Sequence, residues 1–216
     1  MIGPNLSFAP STAGNGFANP LICVVQHDGE TRERLCQLFL DALLPARAFR
    51  SGKEFLGQRR HAGPCCLITG VSLSDITGFD LQIALAGRTE QIVFVSGDAD
   101  VSMCARAMKA GAVDFLTSNA DGRLLLDAAG RALTRSQSIL SARDARAAAR
   151  ARFDSLTSRE IEVMHRVLAG RLNKQAASDL GIAEKTIKIH RGRVMHKLGV
   201  ESVAELVRLA MLAEIE

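Results

Sequence analysis

No stretch of these 216 residues approaches the roughly 18 uncharged apolar residues in a row that a membrane-spanning helix needs. The first twenty residues lack the basic start of a secretory signal. Cysteine is sparse and odd in number. Cys23, Cys36, Cys65, Cys66 and Cys104 all precede residue 105, which fits reduced cytosolic thiols better than a disulfide framework. No CxxC and no His/Cys spacing suggests zinc. A GxGxxG loop, a Walker loop, a Ser/His/Asp arrangement and a poised pair of carboxylates are also missing. The sequence therefore recommends no enzyme, no metal and no organic cofactor. What remains is a cytoplasmic protein whose partners include no membrane.

Apolar residues make up 47% of the chain, enough for two domains that each bury a core. Residues 1–20 are rich in Gly, Pro, Asn and Ser without periodicity, which predicts a disordered leader. From Leu21 short apolar runs alternate with helical stretches. LICVVQ, ARAFR, CCLIT, QIVFV and AVDFL read as strands, and helices are expected from about Glu30, Ser51, Gly78, Asp100 and Asp121. Five βα units predict an α/β fold over 21–130, a doubly wound five-stranded parallel sheet of the flavodoxin-like kind. In such a sheet the working site lies at the carboxyl ends of the strands. Adjacent Cys65 and Cys66 in strand three should point to opposite faces.

Leu124, Leu125, Ala128 and Ala132 are expected to cover that sheet, and 131–153 to be a linker helix. Residues 131–152 hold six Arg against one Asp, so the linker reads either as a solvated helix or as a basic arm for phosphates. The rest, 154–216, reads as an all-α domain of four helices. Thr157 and Glu160 form a capping-box pattern, with Leu156 and Ile161 as its hydrophobic staple. Ile161, Met164, Val167 and Leu168 would form the first apolar stripe, ending at Gly170. Asn173 is expected to cap the second helix, with Ala176, Ala177 and Leu180 inward and Gly181 as its stop. A third helix over about 184–198 would bury Ile187, Val194 and Leu198 and expose Lys185, Lys188, Ile189, Gly192 and Arg193. Ser202 and Glu205 repeat the capping pattern for a fourth. Between Arg166 and Lys197 eight Lys or Arg stand against two acids, whereas after Lys197 one Arg faces four Glu. The basic face thus belongs to the second and third helices.

The segments CLITGVSLSDITGFDLQ and IVFVSGDADVSMCARAMKAGAVDFLTSN resemble the receiver domain of two-component response regulators. LTSREIEVM, GxxNKxxAxxLGI, KTIKIH, KLGV and SVAELVRLA resemble the LuxR-type helix-turn-helix of the NarL/FixJ class. Together they cover nearly all of the chain from Leu21 to Ala213. The resemblance implies a DNA-binding transcription regulator acting on double-stranded DNA. It implies Lys188 and Ile189 at base edges, with Arg191 as a further reader. Asn173, Lys174, Lys185, Thr186 and Arg193 would anchor phosphates. His190 is read as a packing residue. By the same analogy the fourth helix pairs two copies, and helices near Asp100 and Asp121 offer a second dimer contact.

The receiver family also implies an acidic pair, a phospho-accepting Asp and a Lys, because carboxylates hold the Mg²⁺ that neutralises an incoming phosphoryl group. Here Gln26 and His27 occupy the acidic pair, Gly70 the acceptor, Ser118 the Lys and Asn119 the following Pro. Ser96 and Phe115, the family's coupling pair, remain. Asp28, Asp75, Asp98 and Asp100 are the nearby carboxylates that would have to substitute. The leading expectation is a pseudo-receiver that regulates without phosphate. Two others stay open: an adaptor that binds another regulator through the receiver-like domain, and a thiol-controlled DNA binder; another regulatory protein or RNA polymerase is a candidate partner. Two departures concern the third helix. Ala183 stands where the family has a Ser cap, and Gly192 where it carries a longer residue.

Overall fold

The structure, a computed structural model, describes residues 20–97 and 100–215. Except for Pro20, the segment expected to be a leader lies outside the described residues, as does Asp98. Those described form two compact units, one reaching Ser138 and the other beginning at Ile139. Among them no helix is long and apolar enough to cross a membrane.

The first unit alternates strand and helix: β1 (Leu21–Val25), α1 (Gly29–Asp41), β2 (Ala46–Phe49), α2 (Gly52–Leu56), β3 (Cys65–Thr69), α3 (Gly78–Ala84), β4 (Gln91–Ser96), α4 (Val101–Lys109) and β5 (Asp114–Thr117). All four pairings are parallel, in the order β2-β1-β3-β4-β5. Alternate residues of a strand face opposite sides, so two cores form. Cys23, Val25, Cys65, Leu67 and Phe94 meet Phe55, Phe79, Leu81 and Ala107 of α2, α3 and α4. Ile22, Val24, Cys66, Ile68 and Val93 meet Leu35 and Phe39 of α1 and a stripe from α5 (Gly122–Phe153). The doubly wound expectation holds, and Cys65 and Cys66 do face opposite sides. Because β1 lies between β2 and β3, a crevice opens beyond the carboxyl ends of β1 and β3.

Two local expectations need correction. The last strand begins at Asp114, because Gly111 (φ +92°) turns the chain and the Ala112 N–H bonds back to Ala107. Leu124 does not cover the sheet: it is 53% exposed. The buried stripe of α5 is Leu125, Ala128, Ala129, Ala132 and Leu133, spaced by three and four residues, and Leu124 falls off that face.

α5 is one uninterrupted helix of 32 residues. Ser136 is fully buried in the first unit, its Oγ accepting from the Cys65 N–H at 3.0 Å. Ala149 and Phe153 belong to the core of the second unit. That core joins them to α6 (Ser158–Leu168), α7 (Asn173–Leu180), α8 (Glu184–Leu198) and α9 (Val203–Ala213). The Thr157/Glu160 capping box forms in full. Its staple does not, since Leu156 is buried but Ile161 is 37% exposed; Val163, Met164 and Val167 make the stripe instead. Ser202 caps α9 through the Glu205 N–H, while the Glu205 carboxylate turns to the Glu201 N–H.

Candidate nucleic-acid interface and receiver-like crevice

Gln26, Gly70, Ser96 and Ser118 meet at the carboxyl ends of β1, β3, β4 and β5. The Ser118 N–H bonds to the Ser96 carbonyl at 3.1 Å. Gln26 is 5% exposed, and its Nε2 donates to the Val95 carbonyl at 3.0 Å. A Cβ on Gly70 would lie 2.7 Å from Gln26 Oε1, closer than real contacts allow. The buried amide therefore fills the space beside Gly70, and a side chain at 70 would require the end of Gln26 to shift. Phe115 lies deeper in β5, its ring stacked 5.6 Å from that of Phe94.

The loops around this filled crevice are tied by side-chain nitrogen donors. His27 Nδ1 donates to the Ser72 carbonyl at 2.9 Å, which fixes that nitrogen as protonated. From α1, Arg32 Nη1 donates to the carbonyls of Gln26 (2.8 Å) and His27 (3.2 Å), and Arg34 Nη2 to that of Ser118 (2.6 Å). Sequence reasoning missed both arginines. Their only signal was position, two cations in the first turns of the helix that follows β1.

The three described aspartates that could stand in, Asp28, Asp75 and Asp100, each accept from N–H groups at a helix N-terminus. Asp28 accepts from the Thr31 N–H at 2.7 Å, and hydrogen bonding from the Thr31 side chain, then from its N–H, holds the carboxyl below the usual range. Asp75 accepts from the N–H groups of Gly52, Lys53 and Ile76 at 2.8–3.0 Å. Desolvation would raise its pKa, but the Lys53 and Gly52 bonds outweigh it and the result is lowered. Asp100 caps α4 through the Met103 N–H, which with the Ser102 hydroxyl lowers it too.

The thiols hold one surprise. Cys23 and Cys65 sit with their sulfurs 3.7 Å apart on neighbouring strands, a pairing that sequence distance hid. The contact with Cys23, then burial, pushes the Cys65 thiol well up, and burial does the same to Cys66. Thiols so raised stay protonated and are poor nucleophiles.

In the second unit, α7 and α8 pack closely because Ala176 and Ala177 bring little bulk between them, and Gly181 makes the turn in the left-handed region (φ +65°). Asn173 does not cap α7. Leu172 is the capping residue, its N–H answered by Gln175 Oε1. Asn173 Oδ1 instead accepts from Arg191 Nη1 at 3.1 Å, joining α7 to α8 and leaving Arg191 partly covered. Ile187, Val194 and Leu198 face the core. Lys185, Lys188, Ile189, Gly192 and Arg193 face solvent, Ile189 at 49% exposure, while Thr186 is half-buried. His190 is half-buried as well.

The cations divide by partner. Arg166 and Arg171 lean on Asp179 at 3.3 and 3.7 Å. Lys197 is locked to Glu160 at 2.6 Å and to the Ser155 carbonyl. Its hydrogen bond, with that of the Thr157 N–H, brings the Glu160 carboxyl down to about 2. Lys188 makes only a solvated pair with Glu184 at 3.7 Å. Lys174, Lys185 and Arg193 have no side-chain partner among the described residues. α8 begins at Ala183 without a side-chain cap, and no atom would meet a Cβ at Gly192 within 4 Å.

A parallel α/β domain followed by a four-helix unit with a cationic third helix defines a class, the two-part regulators. The profile of the response regulator receiver domain matches residues 22–129, and that of the bacterial regulatory proteins of the luxR family matches 154–210. The chain is 38% identical over 192 residues to nodulation protein W of Bradyrhizobium diazoefficiens, covering 88% of this chain and 85% of that protein. It is 37% identical over 191 residues to the response regulator protein TmoT of Ectopseudomonas mendocina, covering 88% and 87%. Among solved structures, the response regulator StyR aligns with a TM-score of 0.80 at 37% identity, over 90% of this chain and 99% of that one. Full-length FixJ from B. japonicum aligns at 0.52 and 30% identity, over 90% and 97%. The chain belongs to the NarL/FixJ class of response regulators, with a LuxR-type DNA-binding domain for the regulation of transcription.

Proposed function

We propose that this chain is a cytoplasmic, sequence-specific transcription regulator whose receiver domain works without phosphorylation. The observation that carries the reading is the Gln26–Gly70 pair: the place of an acceptor carboxylate is taken by a buried amide bonded to Val95. Nor does another described carboxylate stand in, since Asp28, Asp75 and Asp100 are spent on helix caps. Residues 21–130 serve as the pseudo-receiver, 131–153 as the linker helix and 154–216 as the DNA-binding domain, with no catalytic step and no cofactor. Selection of bound genomic DNA, with and without a small phospho-donor and Mg²⁺, tests this together with intact-mass measurement. The same fragments and no phosphoryl adduct are expected. An aspartyl phosphate, or affinity that depends on the donor, would overturn it.

In this reading α8 enters the major groove. Lys188, nearly free of Glu184, meets guanine O6/N7, and exposed Ile189 meets a thymine methyl. Lys174, Lys185 and Arg193, whose charges are unanswered within the chain, take phosphates, with Thr186 beside them. Arg191 reaches a base only by leaving Asn173, so that pair both sets the α7–α8 angle and holds a reader in reserve. Two copies associate through α9, where Val207, Met211 and Leu212 are left exposed, which spaces half-sites by about 10–10.5 bp. RNA polymerase or another regulator remains free to engage the receiver face.

A further inference from the structure

A cavity of about 450 Å³ opens beside the starts of β1 and β3, at the end of the sheet opposite the filled crevice. That volume is typical of small-molecule sites. Its floor is apolar, formed by Leu21, Cys23, Phe49, Phe55 and Cys65. Strand register assembles it: Leu21 lies opposite Cys65, and Cys23 opposite Arg47 of β2. The rings of Phe49 and Phe55 meet edge to face at 5.3 Å, and the paired sulfurs of Cys23 and Cys65 extend the same soft surface.

The rim has the opposite character. Arg47, Arg59, Arg60 and Arg88 surround it with a single acid, Glu90. None of these four guanidinium groups has an ion pair or an acceptor among the described residues, whereas Arg131, Arg146, Arg159 and Arg166 all have carboxylates. The stretch 1–20 itself contains no Asp or Glu. Clustered like charges repel, and a bound anion relieves that repulsion while a guanidinium fork grips a carboxylate through two bonds.

We propose that this cavity binds a small organic anion, a carboxylate carried on a flat apolar body of about two fused rings. The ring system lies on the Phe49–Phe55 floor and the carboxylate meets the arginine rim. The full chain has neither Trp nor Tyr, so emission from a naphthalene ligand is read without protein background from those residues. Titration of the full chain with 2-naphthoate should saturate at one site with a Kd on the order of 0.1 mM. Both 2-naphthalenemethanol, which keeps the rings, and inorganic phosphate, which keeps the charge, should bind at least about tenfold more weakly. Arg59→Gln combined with Arg60→Gln should cost naphthoate about tenfold with an unchanged circular dichroism spectrum. Arg47→Gln is a second arm should the double variant fold poorly. Absence of saturation, or binding indifferent to the arginine substitutions, overturns the proposal. Phosphate binding as tight as naphthoate overturns the assignment of an apolar body.

Discussion

The carboxyl edge of the sheet and the solvent face of α8 treat polar groups in opposite ways. At the sheet edge Gln26, His27, Arg32 and Arg34 each donate to a backbone carbonyl, and Asp28, Asp75 and Asp100 each cap a helix. Along the α7–α8 surface Lys174, Lys185 and Arg193 have no partner among the described residues, and Lys188 has a weak one. A buried polar group is costly unless answered, so a region that answers every group from within has little left to offer a ligand. Unanswered surface charge costs little in water and is available for an external anion. Partner use, more than charge count, separates the sheet edge, whose polar groups are answered from within, from the helix face that keeps its charges open.

The largest effect should come from forcing the closed site open. Gly70→Asp must displace the Gln26 amide from a packed position, at a cost of about 2–4 kcal/mol from overpacking and a lost hydrogen bond. Denaturant unfolding of the full chain measures it, and Gln26→Ala added to Gly70→Asp should recover much of the loss. Strictly additive values would show that the two positions do not compete for one space.

On the open side, Lys188→Ala should reduce binding to a selected site by about 1–3 kcal/mol and relax preference at one base pair. Arg193→Ala should weaken all sequences alike and flatten the salt dependence by about one unit of slope. Equal weakening of all sequences by Lys188→Ala would move that residue to the phosphate group.

A smaller gain is expected within α8. Gly192→Ala meets empty space and should stabilise the second unit by about 1 kcal/mol, raising its melting temperature. No rise would indicate that the helix is not limited by that glycine.

The mildest test changes a pH profile more than a stability. Glu160 has its carboxyl lowered from 4.5 to about 2, first by the Lys197 hydrogen bond and then by the Thr157 N–H. A depressed folded-state pKa gives stability that is full above 4.5 and lost as pH falls toward 2. Glu160→Gln should therefore flatten the acid limb of unfolding of the full chain between those values. An unchanged limb would assign acid loss to other carboxylates.

Much of the fold was legible because apolar runs at strand spacing and helix stops at Gly170 and Gly181 are local signals. The buried side of α8 followed from spacing alone. Three errors share another cause. Leu124 and Asn173 lie one position, and Ile161 two, from the residue that takes the expected place, and a helix rotates by about 100° per residue. Neighbouring side chains of equal character cannot be ranked without the partner helix. In the crevice the residues at positions 26, 27, 70 and 118 were legible, but their contacts were not. The Gln26–Val95 bond, the Arg34–Ser118 bond and the Cys23–Cys65 contact join residues 69, 84 and 42 positions apart. Such contacts exist only once the strands are ordered.

The Gln26–Gly70 fit also limits how the chain can change by single substitutions. An aspartate at 70 collides with the amide while Gln26 remains. Loss of the Gln26 amide alone leaves a hollow beside Gly70 and an orphaned Val95 carbonyl. Either single change therefore lowers stability, and what each position tolerates depends on the residue at the other. A local fit of side chain against backbone thus acts in sequence space as a coupling, so that positions 26 and 70 change together more readily than singly.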